Sequence, residues 1–130
     1  SNNTVDWTLK NGWFVDLPDL KERINVDMSL QFNTLVAASN IPQSVASCTP
    51  GGGASWLYYL DISNGSNTGT NVGVKFVNSL ITGITAVSTS QGPSAIVNFF
   101  GQPPQGQVIP TPSVTGTTTK RASWRELVDR

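Results

Sequence analysis

Histidine is absent from this chain, and that absence removes more chemistry than any motif supplies. Histidine is the usual general base, a common metal ligand and the side chain that changes charge near neutral pH. Without it, neither a Ser-His-Asp nor a Cys-His nucleophile can be assembled. Cysteine is nearly absent too. Cys48 stands alone among 130 residues, so no disulfide can close within the chain. It has no base beside it and reads as an inert thiol, or as one paired outside the chain. Charge is also scarce. Asp, Glu, Lys and Arg make up 12% of the residues, with eight of each sign, where a soluble domain carries about 25%. No face can then be globally basic, so no nucleic-acid footprint is expected. The one basic cluster, Lys120, Arg121 and Arg125, has Glu126 and Asp129 beside it and reads as a solvated surface stretch. No apolar run approaches the roughly 20 residues of a membrane-spanning helix. No basic-then-apolar leader opens the chain. The Ser1-Asn2 start reads as an internal boundary or a cleavage scar, and the chain as a piece of a longer protein.

What is present is alternation broken by Gly, Pro and Asn. The central stretch is Gly51 to Gly65. After its glycine run, Trp56, Tyr58 and Leu60 share one face at period two, and Leu57, Tyr59 and Asp61 share the other. Asp61 to Gly65 then has turn chemistry. Upstream, Val5–Leu9 and Trp13–Leu17 alternate around Asn11-Gly12, which predicts a hairpin ended by Pro18. Asp19 to Arg23 reads as a loop or a single turn. Ile24 to Leu30 predicts a half-buried strand and Phe32 to Ala38 a more buried one, with a turn or bulge at Gln31–Asn33. Ser39 to Gly53 reads as a loop. Downstream, strands are expected at Ser55–Asp61, Val72–Val77, Ser79–Ser88 with a possible bulge at Gly83, and Ala95–Phe100. The four prolines between Gly101 and Pro112 predict an extended segment, with an edge around Gln107-Val108-Ile109. Ser113 to Thr119 reads as a linker. In the tail, Ser123 and Glu126 fit a capping box, and a short strand is the rival reading.

The fold class is therefore all-β: antiparallel sheets of short strands, propeller-blade-like, with a Pro/Gly/Thr-rich C-terminal segment. Residues 1–112 form the β-domain, and 113–130 a linker and tail.

No catalytic site emerges from the residues, and a non-enzymatic protein without cofactor is expected. The carboxylates fall at strand ends or on polar faces, outside any motif a sugar hydrolase needs. Asp61, Ser63 and Asn64 offer oxygens but no downstream bidentate Glu, so a turn is preferred to a calcium loop. Gly51-Gly52-Gly53 lacks the Lys of a phosphate loop. Trp7, Trp13, Trp56, Tyr58 and Tyr59 could line a sugar or peptide groove, but alternation favours core packing. Trp124, in a polar tail, is the best candidate for an aromatic anchor onto a partner. With Arg125, Val108 and Ile109 it completes the set of candidate partner contacts.

Several stretches taken together resemble a known family. They are Gly12-Trp13-Phe14-Val15-Asp16-Leu17-Pro18, Glu22-Arg23-Ile24, Cys48 with Gly52-Gly53-Ala54-Ser55-Trp56-Leu57, Leu60-Asp61, Gly65, and Arg121-Ala122-Ser123-Trp124-Arg125-Glu126-Leu127. In this order and spacing they resemble the end of the C-terminal β-propeller region of the PilY1/PilC family. The match spans residues 12 to 127 and is loose between Asn71 and Lys120. The resemblance implies an exported Gram-negative protein of the periplasm, outer membrane or cell surface. It would act at the tip of type IV pili in assembly, adhesion and twitching motility. Its partners would be minor pilins and the pilus tip, with a host-cell surface as a further candidate. The family's Asp-rich calcium loop has no counterpart here, nor does an Arg-Gly-Asp motif. Two other readings stay open: a carbohydrate- or host-receptor-binding β-domain, and a fragment of a quinoprotein-type propeller enzyme, whose blades Trp-Leu-x-x-Leu-Asp-x-x-x-Gly also resembles.

Overall fold

The computed structural model describes residues 5–43 and 52–112. Within them lie seven strands and no helix. β1 (Ser29–Gln31), β2 (Thr34–Pro42), β3 (Gly53–Asp61) and β4 (Gly73–Val77) pair antiparallel in chain order as a four-stranded meander, sheet A. β5 (Ile81–Thr89), β6 (Gly92–Phe99) and β7 (Gln102–Val108) form a second, three-stranded meander, sheet B. The expected all-β architecture of short antiparallel strands is the one observed.

Local chemistry explains most of the connections. Phe32 and Asn33 join β1 to β2 with φ of 46° and 64°. Positive φ at both loop residues is the two-residue turn whose twist matches the flanking strands. It brings Gln31 opposite Thr34. The Thr89 hydroxyl donates to the Gly92 carbonyl (2.7 Å) and accepts from the Gln91 amide (3.2 Å), fastening the β5–β6 turn. The pairing of β5 with β6 slips between Ile81 and Gly83, where a bulge was expected. Pro103 and Pro104 open β7, an edge strand, where their lack of an N–H is tolerated.

β3 lies between β2 and β4 and sends side chains to both faces. Leu57 and Tyr59, with Val36 and Ala38 of β2, meet Ile81, Ala95, Val97 and Phe99 of sheet B, with Ile109 alongside. The Phe76 and Phe99 rings meet edge-on, 5.0 Å apart. This is the main core. On the other face of sheet A, Ala37, Tyr58 and Leu60 are covered by Trp13, Leu17, Leu35, Trp56 and Val72.

One side chain joins the sheets directly. Asn40 of β2 is buried; its amide oxygen accepts the Ile81 N–H (2.9 Å) and its amide nitrogen donates to the Ile81 carbonyl (2.8 Å) and to Asn25 Oδ1 (2.7 Å). It offers the start of β5 the donor and acceptor that a neighbouring strand would.

The N-terminal segment departs from expectation. Residues 5–17 form no hairpin. The Asp6 carbonyl accepts from the amides of Leu9 (3.1 Å) and Lys10 (2.9 Å). The Asp6 carboxylate takes the Thr8 amide (2.9 Å) and hydroxyl (2.6 Å). This local bonding competes with strand pairing. Trp13 to Leu17 runs without a ladder partner and packs across sheet A instead. The strand expected over Ile24–Leu30 is reduced to β1 and a single bridge between Arg23 and Asn40. The expected Ser39–Gly53 loop is shorter, because Ser39–Pro42 belongs to β2 and Gly53 to β3. Cys48, Gly51 and the whole of 113–130, including the linker, the capping box, Trp124 and Arg125, lie outside the described residues.

Candidate binding surfaces

The largest concentration of polar chemistry lies on the outer face of sheet A, where the loop 19–23 meets β3. Glu22 is buried, and its Oε1 accepts from the hydroxyls of both Ser39 and Tyr58. Its Oε2 accepts from the backbone N–H of Asp19 (3.0 Å), which closes the loop on itself. Lys21, at φ 66°, supplies the tight bend that turns Glu22 inward. Burial pushes the Tyr58 hydroxyl well above its ordinary range, and the Glu22 carboxylate adds to this by bonding the protonated form.

A second carboxylate stands at the rim. Asp19 Oδ2 accepts from Lys75 Nζ (2.6 Å) and Trp56 Nε1 (2.7 Å). The Lys75 bond, then the Trp56 bond, hold the Asp19 carboxyl below its usual value. Lys75 also sits 5.3 Å from the centre of the Trp56 ring, and Trp56 stacks on Tyr58 at 5.8 Å. Glu22 has both oxygens engaged and no open approach. The arrangement pins a loop to a sheet.

Beside the network lies an apolar pit of about 250 Å³, walled by Trp13, Leu17, Ile24, Met28, Leu35 and Leu60 among others. Ile24 and Met28 remain about half exposed, and Phe14 (84%) and Leu20 (86%) stand in solvent. Such a concentration of exposed apolar side chains in one segment is unusual for a free surface.

The residues singled out from sequence are dispersed. Val108 is 74% exposed at the end of β7. Its neighbour Ile109 is 2% exposed and belongs to the main core, so it is spent inside the chain and is corrected from contact residue to core residue. Trp56, Tyr58 and Tyr59 pack as alternation predicted, Trp13 half-buried with them, whereas Trp7 is exposed. Asp61 closes an Asx turn: its carboxylate takes the Ser63 amide (2.8 Å) and hydroxyl (2.6 Å), and its carbonyl takes the Gly65 amide (2.7 Å). Gly65 there has φ 70°, with the Trp13 ring packed where a Cβ would stand. Among the described residues no three His, Cys, Asp or Glu side chains gather to hold a metal.

Sequence reasoning missed the Glu22–Tyr58–Ser39 network. Its members lie 17 to 36 residues apart and show no spacing signal.

No protein family, curated protein or solved structure matches this chain.

Proposed function

We propose that this chain is a non-enzymatic module of a pilus-tip-associated protein that acts in type IV pilus assembly, adhesion and twitching motility. The observation that carries this reading is the place of the resembling stretches in the fold. Gly53 to Asp61 with Gly65 forms the central strand and its turn; Trp13 and Leu17 of Gly12–Pro18 pack on that strand, and Glu22 of Glu22–Ile24 accepts from its Tyr58 hydroxyl. The resembling stretches among the described residues thus meet on one structural unit; Cys48 and Arg121–Leu127 lie outside those residues. Two successive antiparallel meanders packed face to face are compatible with consecutive propeller blades, which carry four strands each where sheet B has three among the described residues. The exposed apolar side chains of the N-terminal segment fit a piece that meets further protein in its parent.

On this reading the partners are minor pilins, and the protein is exported to the cell surface. The test is a pull-down of minor pilins by the parent protein with and without residues 113–130. Deletion is expected to weaken capture, and undiminished capture overturns the assigned role of the tail. Loss of surface pili when the whole chain is removed from the parent, with secretion intact, supports the module's part in assembly.

A further inference from the structure

Sheet B is one strand narrower than sheet A, and its outer edge is poorly defended. β4 and β7 are edge strands, each without a further neighbour among the described residues. β4 carries Lys75, held by Asp19. β7 carries no charged side chain from Gln102 to Val108, and its two prolines block only its beginning. Natural edges are usually blunted by charge, proline or a bulge. The Gln105–Val108 half of β7 has none of these.

The backbone there is aimed outward. The Ile109 amide donates to the Pro93 carbonyl at 3.0 Å. Alternate residues of an antiparallel strand bond to the same side. With Gln107 opposite Ala95 and Gln105 opposite Val97, the amides of 105, 107 and 109 face β6. The N–H and C=O of Gly106 and Val108 therefore face away from it. Beside this edge runs a cleft of about 490 Å³, walled by Tyr59, Asn71, Val74, Gln107, Val108 and Pro110 among others. None of its lining residues is charged. The Tyr59 hydroxyl behind this wall has no hydrogen-bond partner among the described residues.

We propose that the Gly106–Val108 edge of β7 accepts an extended strand from another polypeptide. Backbone groups facing outward supply the hydrogen bonds, and the cleft receives alternate side chains against Val74. Uncharged walls select an uncharged segment, rich in β-branched residues, since a charge buried there would have no partner. The residues that directly follow β7 leave this edge: Ile109 enters the core and the Pro110 carbonyl accepts from the Thr34 hydroxyl (2.8 Å) across on sheet A. The inference does not depend on the pilus reading.

The test uses the full chain, ¹⁵N-labelled, and a blocked nine-residue peptide of alternating Thr and Val. Without peptide, the Gly106 and Val108 amides exchange with solvent as open-edge groups, while Gln105 and Gln107 are protected. With saturating peptide, exchange at 106 and 108 slows about tenfold or more. Val108→Pro removes one outward N–H without touching the β6–β7 bonds; it abolishes the peptide effect while leaving protection at Gln105 and Gln107. A peptide with Glu in place of Thr does not bind. Protection of Gly106 and Val108 in the free chain would show the edge filled from within, residues 113–130 being the obvious source, and would overturn the proposal. So would failure of the peptide to slow exchange, or unchanged binding to V108P.

Discussion

The two sheets share a meander topology but not an environment. Sheet A is covered on both faces: by sheet B within, and by the Trp13–Met28 segment without. Among the described residues, sheet B is covered on one. Along β6, Ala95, Val97 and Phe99 are buried while Ile96 and Asn98 face out, a strict alternation. Along β3, from Leu57 to Leu60, every residue is buried. The sequences mirror this, Ala-Ile-Val-Asn-Phe against Leu-Tyr-Tyr-Leu. Topology alone does not decide how a strand is written; the number of faces it must satisfy does.

The sharpest way to break this comparison is to truncate one residue from each kind of position. Leu57→Ala opens a cavity in a fully buried site and is expected to cost about 3 kcal/mol in urea unfolding, against less than about 1 kcal/mol for Ile96→Ala. Equal costs would show that the outer face of sheet B is buried in solution. Next comes the fastening of the outer cover. Glu22→Ala strands the Tyr58 and Ser39 hydroxyls and is expected to cost about 2 kcal/mol, with a red shift of tryptophan emission as Trp13 and Trp56 gain solvent. A purely apolar cover would leave the emission unchanged.

Alkali probes the space between the sheets. Burial pushes the Tyr59 hydroxyl from 10.0 up to about 12. Because the folded value lies above the unfolded one, its contribution is complete below pH 10 and is lost as pH rises through about 12. Tyr59→Phe should flatten the stability curve in that window; an unchanged curve would assign the alkaline transition to other groups, Tyr58 first. The smallest effect lies at the rim. The Asp19 carboxyl is lowered from 3.8 by Lys75 and Trp56, so its contribution holds above that value and fades as pH falls below it. Being exposed, the pair is screened by solvent. Asp19→Asn should shift the acid midpoint slightly and leave neutral stability nearly unchanged, checked by circular dichroism from pH 5 to pH 2.

The strands from β3 to β7 were legible because period-two alternation and Gly, Pro or Asn punctuation coincide there. The slip at Gly83 and the proline-bearing edge of β7 were legible for the same reason. Val5–Leu17 and Ile24–Met28 were misread although they alternate as cleanly, whereas Asp19–Arg23 is the turn expected of it. Alternation records which side chains seek burial, not whether a neighbouring backbone exists to pair with. Trp13 and Leu17 find burial by lying across sheet A, and Asn11-Gly12 turns a chain that has no ladder on either side. The Glu22 lock was illegible because a buried carboxylate in a polar loop resembles any surface acid until its hydroxyl partners arrive from distant strands.

Asn40 carries a last consequence. By matching its amide to both backbone groups of Ile81, it fixes the phase of one sheet against the other at a single point. The segment from Ile62 to Val72, which joins β3 to β4 within sheet A, need not set that phase. Lengthening a loop costs little chain entropy, growing only with the logarithm of its length. That segment is therefore a place where descendants of this chain can gain or lose residues while the sheets stay in step, whereas position 40 has almost no freedom to drift.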